Sequence, residues 1–233
     1  RQCPGFQLCQ SYLDCYGDHL AACPSTGLLK RRGTAFERVY RPLWKEFGVR
    51  ETPQPLVKDL LSDADPTDLR KSDFEIRGGA LGRGLPVVCD MCMGSALHSD
   101  GTPYAGASNV DGATIDRLTH RKRVTEYPDL ATSPQIEYLV LACEEGGRWG
   151  PDQHRLLRSL VRTKVASIHP LLRRRASLAY TRRWWGILSI GAQTVAADCI
   201  LGRDSPVPAP TTVLPLASVL PLIDVGTEPS RMR

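Results

Sequence analysis

Between Leu85 and Met93 the chain is apolar at almost every position, with a single acid, Asp90, inside the run. Such a stretch reads as a β-strand covered by protein. Alternation puts Val88, Asp90 and Cys92 on one side, so the acid points among apolar neighbours and away from open water. Gly78, Gly79, Gly82 and Gly84 separate this strand from Asp73-Phe74-Glu75-Ile76-Arg77. Those glycines let the chain turn back, and a hairpin turning about Leu81-Gly82 sets Asp73 beside Asp90.

Two neighbouring carboxylates repel unless something binds them. Mg2+ is the expected occupant, because it takes a pair of carboxylates together with waters and phosphate oxygens. Taken alone, Asp73 reads equally well as an exposed acid at a strand end. A helix from about Asn109 to Glu126 carries Ile115, Leu118 and Lys122 on one face, which aims Lys122 at the sheet. A lysine there can stabilise charge on a phosphate or help activate a water, making Asp73, Asp90 and Lys122 the candidate catalytic set. The alternative for Lys122 is a side chain that lays its stem on the core and keeps its charge in solvent.

The first 27 residues have too few apolar side chains to form a core, so a metal or disulfides must hold their shape. Cys3, Cys9, His19 and Cys23 form a compact Cys-Cys-His-Cys set suited to structural Zn2+. Cys15 competes for one ligand place. Asp18 is expected to orient the imidazole of His19. The competing reading is one or two disulfides with His19 on the surface. Cys89, Cys92, Cys143 and Cys199 lie in apolar segments, where reduced cysteine packs as a small hydrophobe, so an intracellular protein is expected.

Three units follow from these patterns: a zinc knuckle over 1–27, an α/β (α+β) domain over 28–202, and a tail over 203–233 that its prolines predict to be disordered. Within the domain, Thr34 and Glu37 match a capping box opening a helix with Phe36, Val39, Tyr40, Leu43 and Phe47 on its buried face and a kink at Pro42. A short strand is expected near Val49-Arg50-Glu51. Ile136 to Cys143, nearly all apolar, reads as a central strand. Pro151 opens another helix, and a last one is expected over about Ala176 to Leu201. Its apolar window, Trp184 to Leu201, is interrupted by Ser189, Gln193, Thr194 and Asp198, a poor membrane span.

The net charge is +5, and the basic residues are clustered. That distribution suits a polyanion, with Lys30, Arg31, Arg32, Arg121 and Arg123 as the expected nucleic-acid contacts. Solvated helix faces are the alternative. No secretory signal pattern opens the sequence.

The order of these features resembles the C-terminal region of site-specific non-LTR retrotransposon proteins, in which a zinc knuckle precedes a restriction-like endonuclease. The residues carrying the resemblance are Cys9, Leu13-Asp14-Cys15-Tyr16-Gly17-Asp18-His19 and Cys23-Pro24, then Arg32 and Asp73, and Asp90 within Val88 to Ser95. The basic helix around Lys122 with Tyr127, and Glu144 to Gly150, complete it. The sequence departs from the pattern at Gly33-Thr34 and at Lys71-Ser72. The resemblance implies a restriction-endonuclease-like core with a mixed central sheet flanked by helices, and a Mg2+-dependent nick in target DNA that primes reverse transcription. Asp73 and Asp90 would hold the metal, and Lys122 would be a catalytic lysine moved from strand to helix, since Cys92 stands where many such nucleases keep it. It also implies DNA or RNA as partner, a polymerase domain outside these residues, and work in the nucleus. A catalytically inactive or domesticated nucleic-acid-binding module that keeps the knuckle and the basic helices is the runner-up. A cysteine-rich interaction protein is the third reading.

Overall fold

A computed structural model describes residues 2–3, 6–9, 11–14, 17–78 and 84–201. Its centre is a four-stranded mixed sheet in the order β1 (Arg50–Pro53), β2 (Phe74–Arg77), β3 (Val87–Gly94), β4 (Glu137–Glu144). The first three strands pair antiparallel, and β4 runs parallel to β3. Helices cover both faces, so the fold is of the mixed α/β class. The α1 (Phe6–Cys9) and α2 (Asp18–Ala22) turns come first, and α3 (Leu28–Phe47) follows. The short α4 (Val57–Leu60) lies between β1 and β2. Next come α5 (Ala113–His120), a π-helical turn over Arg121–Glu126 and α6 (Pro128–Thr132), which connect β3 to β4. The chain then runs through α7 (Pro151–Ala166) and α8 (Pro170–Leu201).

Alternation along β3 divides the core in two. Val87, Cys89 and Met91 join α3, α7 and α8 on one side, and Val88 and Cys92 join Ile115, Leu118 and Leu130 on the other. The apolar spacing on α3 buries Phe36, Val39, Tyr40, Leu43 and Trp44. Against this face α8 lays Tyr180, Trp184, Leu188, Ala192 and Val195. The two helices meet closely at Gly191, where an added Cβ would come within 2.6 Å of Val39. By length and mean hydropathy α8 alone among the described helices could cross a membrane; in the fold it is the layer that closes the core over α3 and α7.

Four expectations need correction. The α3 helix begins at Leu28, not at Thr34, and the Thr34 hydroxyl bonds back to the Lys30 carbonyl at 3.3 Å. Thr34 therefore caps nothing, and Glu37 is free for another role. The helix does run through Pro42 to Phe47, as its apolar spacing predicts. The apolar β4 is a terminal strand of the sheet, not a central one. Both its faces are covered, which accounts for its composition. Its outer edge is closed by other means: Val140 N–H donates to Asp152 at 2.9 Å, and Gly150 N–H donates to the Ala142 carbonyl at 2.8 Å. The helix expected from Asn109 begins at Ala113, because Gly112 before it has φ 83, a conformation that breaks the helical path. The last helix starts six residues before Ala176, at Pro170. The hairpin turn at Leu81-Gly82 and the tail after Gly202 lie outside the described residues.

Candidate active site and metal centre

The β2–β3 register pairs Phe74 with Cys89. One step back along β2 and forward along β3 faces Asp73 with Asp90. The Asp73 carboxylate accepts the Met91 N–H at 2.6 Å, which fixes it over the second strand. Asp90 is 2% exposed. Lys122 brings its ammonium 2.6 Å from Asp90 Oδ2 and 2.6 Å from Glu126 Oε2. The contact with Asp90 is an ion pair by distance without the alignment of a hydrogen bond. Thus Asp73, Asp90 and Lys122 converge at one place.

Local structure explains how. Across the π-helical turn the Tyr127 N–H donates to the Lys122 carbonyl, five residues back, at 2.9 Å. Such turns insert one extra residue into a helical circuit and often occur at functional sites. Here the turn keeps both Lys122 and Tyr127 toward the sheet, with the ammonium 5.5 Å from the ring centre. The Tyr127 hydroxyl then donates to the Lys71 carbonyl at 2.6 Å. Arg70 bonds Glu126 O and the Asp129 carboxylate. Together these contacts pin the segment entering Asp73 to the end of the lysine helix.

The carboxyls resist ionisation. Burial first, and then the negative charge of Asp73, push Asp90 up to about 7 in spite of Lys122. Burial pushes Asp73 up to about 6 against the Met91 N–H, with the charge of Glu37 adding to the rise. Glu37, half-buried on α3, is raised by burial and, more weakly, by Asp90. Lys122 also loses hydration, but Asp90 and Glu126 outweigh that loss and raise its pKa. The lysine gains from a pair in which the aspartate still loses, because Asp90 carries the cost of burial beside a second acid.

This has a sign for stability. An acid whose folded pKa lies above its unfolded value stabilises the fold while protonated, and that contribution is lost as pH rises through the folded pKa. Without added divalent ions, the protein is therefore expected to lose several kcal/mol between about pH 4 and pH 7.5 through Asp73 and Asp90. Thermal melts across that range check it. Replacing both residues by asparagine should flatten the slope, and an unchanged slope would remove the acid pair as its cause.

Burial pushes the Cys92 thiol up to about 12. It packs with Ile115 and Leu118 as an apolar group. The one ammonium beside Asp90 among the described residues comes from the helix.

At the N-terminus Cys3 Sγ lies 3.9 Å from Cys23 Sγ, and Cys9 Sγ lies 3.7 Å from His19 Nε2. All four donor atoms fall within 4.8 Å of one another, so the set can hold a metal ion. No other group of three or more Cys, His or acidic donors does so among the described residues. No disulfide joins any two of the described cysteines; Cys15 lies outside the described residues. Asp14 organises the cluster by accepting the N–H groups of Gly17, Asp18 and His19 at 2.6, 3.1 and 2.8 Å. The Ser11 backbone hydrogen bond, followed by its cluster partners, brings the Cys9 thiol down to about 7. The imidazole is not oriented by Asp18. Its Nδ1 donates to the Ser99 carbonyl at 2.9 Å, which turns Nε2 toward Cys9.

The expected nucleic-acid contacts separate into two groups. Arg32 is buried, with its guanidinium bonded to the carbonyls of Ala21 and Met93 and ion-paired to Glu145. It is an internal clasp joining α2, β3 and the end of β4, and it is not available to nucleic acid. Arg123 is tied to Asp152 at the β4 edge. Arg121 pairs with Glu126 yet stays half exposed. Lys30 and Arg31 are exposed beside a cleft of about 410 Å³ between α3 and α8 that contains neither aspartate. Glu126 is a part of the site that the sequence reading passed over; its one signal is the four-residue spacing from Lys122.

Comparison with protein-family models and with curated proteins gives no match for this chain.

Proposed function

We propose that this chain is a divalent-metal-dependent DNA endonuclease with a structural zinc site, the nicking region of a non-LTR retrotransposon protein. The observation that carries the reading is the convergence of Asp73, Asp90 and Lys122, drawn from two strands and a helix distant in sequence. The strand order is compatible with it, since a β1–β2–β3 meander with a parallel fourth strand beyond a helical crossover makes a mixed sheet flanked by helices.

The donor chemistry fits a hard cation: two carboxylates held against each other at the cost of raised pKa values, with water excluded on one side. Mg2+ held there supplies Lewis acidity and an acidified water. The protein's own groups do the rest. Asp73 and Asp90 would hold the ion, and the backbone N–H of Met91 keeps Asp73 from swinging away. Lys122 would offset charge on the phosphate, and Glu126, 2.6 Å away, is a second carboxylate that positions its ammonium. At the knuckle, the sulfur–sulfur distance of 3.9 Å compares with about 3.8 Å for two thiolates at tetrahedral angles on one Zn2+. The target is DNA in the nucleus, and the primed synthesis belongs to a polymerase outside these residues.

Incubating the whole chain with supercoiled plasmid tests the reading. Open circles are expected to accumulate in proportion to added Mg2+ and to be absent without it. Salt-sensitive DNA binding with no nicking at any Mg2+ or Mn2+ concentration would replace this reading with that of an inactive binding module.

A further inference from the structure

A groove of about 250 Å³ opens next to the acid pair, between α2 and α3 on one side and α5 on the other. Lys122 belongs to both places, since it contacts Asp90 and also lines the groove together with Arg117, Arg121 and Tyr104. The charges in it are not equivalent. Lys122 is neutralised by Asp90 and Glu126, Arg121 by Glu126 and Arg32 by Glu145. Arg117 has no carboxylate partner among the described residues. One of its nitrogens donates to the Ser95 carbonyl at 2.8 Å, and its Nε is buried with no partner.

An uncompensated guanidinium is costly to hold in a half-buried wall, and this one is held firmly. Its carbon lies 3.5 Å from the centre of the Tyr104 ring, and the His98 ring lies 3.6 Å from that same centre. Two groups that close to one ring centre cannot share a face, so the tyrosine is covered on both sides and offers no face for a base to stack on. The loop carrying the stack is closed by backbone bonds from Tyr104 N–H to Ala96 O and from His98 N–H to Thr102 O, at 3.0 and 2.7 Å. Its Ser99 carbonyl is the acceptor for His19. A planar cation, fixed in a groove that reaches the catalytic lysine, is built for a phosphate.

We propose that this groove seats the DNA phosphate adjacent to the one that is cut, with Arg117 as its ligand. The inference rests on the endonuclease reading and names the part of the substrate that the groove takes. Arg117 binds the backbone without regard to sequence, sets the distance of the scissile phosphate from Lys122, and contributes to KM more than to kcat.

The test measures binding of a fluorescent random-sequence duplex across a salt series, alongside plasmid nicking. Arg117→Gln is expected to weaken DNA binding about tenfold and to lower the slope of log affinity on log salt by about 1. KM for nicking should rise while kcat stays near the parental value. Arg117→Lys should restore the slope but only part of the affinity, because a lysine keeps the charge without the plane that stacks on Tyr104. Should Arg117→Gln melt early, Tyr104→Leu reads the same site, and an intermediate loss of affinity is expected. Parental affinity and slope in a folded Arg117→Gln, or in Tyr104→Leu and Arg117→Lys together, overturn the groove assignment. If nicking depends on Asp90 while Arg117→Gln is indifferent, the groove fails alone. If DNA binding depends on Arg117 while Mg2+-dependent nicking is absent, the catalytic reading fails and the phosphate groove stands.

Discussion

Asp90→Asn is expected to slow plasmid nicking by about 10³-fold while leaving the fold and the affinity for DNA close to parental. The size follows from the kind of interaction removed: electrostatic stabilisation at a metal-assisted phosphoryl centre is worth several kcal/mol, and each 1.4 kcal/mol is about a decade in rate. Asparagine keeps the shape of the side chain in a position that is 2% exposed, so no cavity opens. It also removes one of two adjacent carboxylates, and Lys122 retains Glu126 as its partner at 2.6 Å. The variant should therefore melt no lower than the parent, and higher near pH 7.5 without divalent ions because a buried charge is gone, which separates loss of chemistry from loss of structure. Asp73→Asn should give a similar loss, and the double variant little more than either alone, because on the proposed reading the two carboxylates share one ion and act as a unit. A folded Asp90→Asn protein nicking at the parental rate would end the assignment. Kinetics of open-circle formation at saturating Mg2+, with melting temperatures alongside, are the required measurements.

What could be read from the sequence, and what could not, divides along contact distance. The face of α3 and the pairing of Asp73 with Asp90 are periodic or nearly local properties, carried by Phe36 to Phe47 and by the glycines between two short strands. The direction of Lys122 follows from its spacing to Ile115 and Leu118, which survives the π-helical turn. An apolar run such as Ile136 to Cys143 reports that both faces are covered, and says nothing about who pairs with its edges. That is why β4 reads as central yet ends the sheet, with the Asp152 side chain standing where a neighbouring strand would. The Thr34–Glu37 spacing matches a cap, but Leu28 to Arg32 are good helix formers that, given a surface to pack on, extend the helix past it in spite of Gly33. Arg32 looks like one more member of a basic run, and only the fold reveals that Ala21 O, Met93 O and Glu145 surround it. The same holds for Ser99 behind His19, and for Tyr104 between His98 and Arg117. Contacts that join segments tens of residues apart, one hydrogen bond at a time, leave no pattern along the chain.

On the proposed zinc site and endonuclease reading, removing the metal from the four donors is expected to lower the melting temperature by about 10 °C and to weaken DNA binding and nicking together. A knuckle hanging free of the domain would lose its own structure and leave the core unchanged. This one is built into the core. The Ala21 carbonyl accepts from Arg32, the Leu20 carbonyl from the Cys199 thiol at 3.6 Å, and the Ser99 carbonyl holds His19. Gly17 packs so closely on Ile200 of α8 that an added Cβ would come within 2.3 Å. Too small to hold α2 by apolar burial, the N-terminal unit should unravel when its ligands are released. Arg32 then loses an acceptor while still buried beside Glu145, and the loop bearing Tyr104 loses its anchor at the mouth of the groove. A loss of about 3 kcal/mol through those contacts corresponds to roughly 6–12 °C in a domain of this size. The experiment uses a chelator selective for zinc over magnesium, with Cys23→Ser as its genetic counterpart. One zinc released per chain and a lowered melt are expected. Disulfides in place of free thiols, or a melt and a nicking rate indifferent to the metal, would show that the four donors serve another purpose. Because Mg2+ is retained throughout, the drop in nicking reads the positioning of Arg117 and Lys122, and not the occupancy of the aspartates.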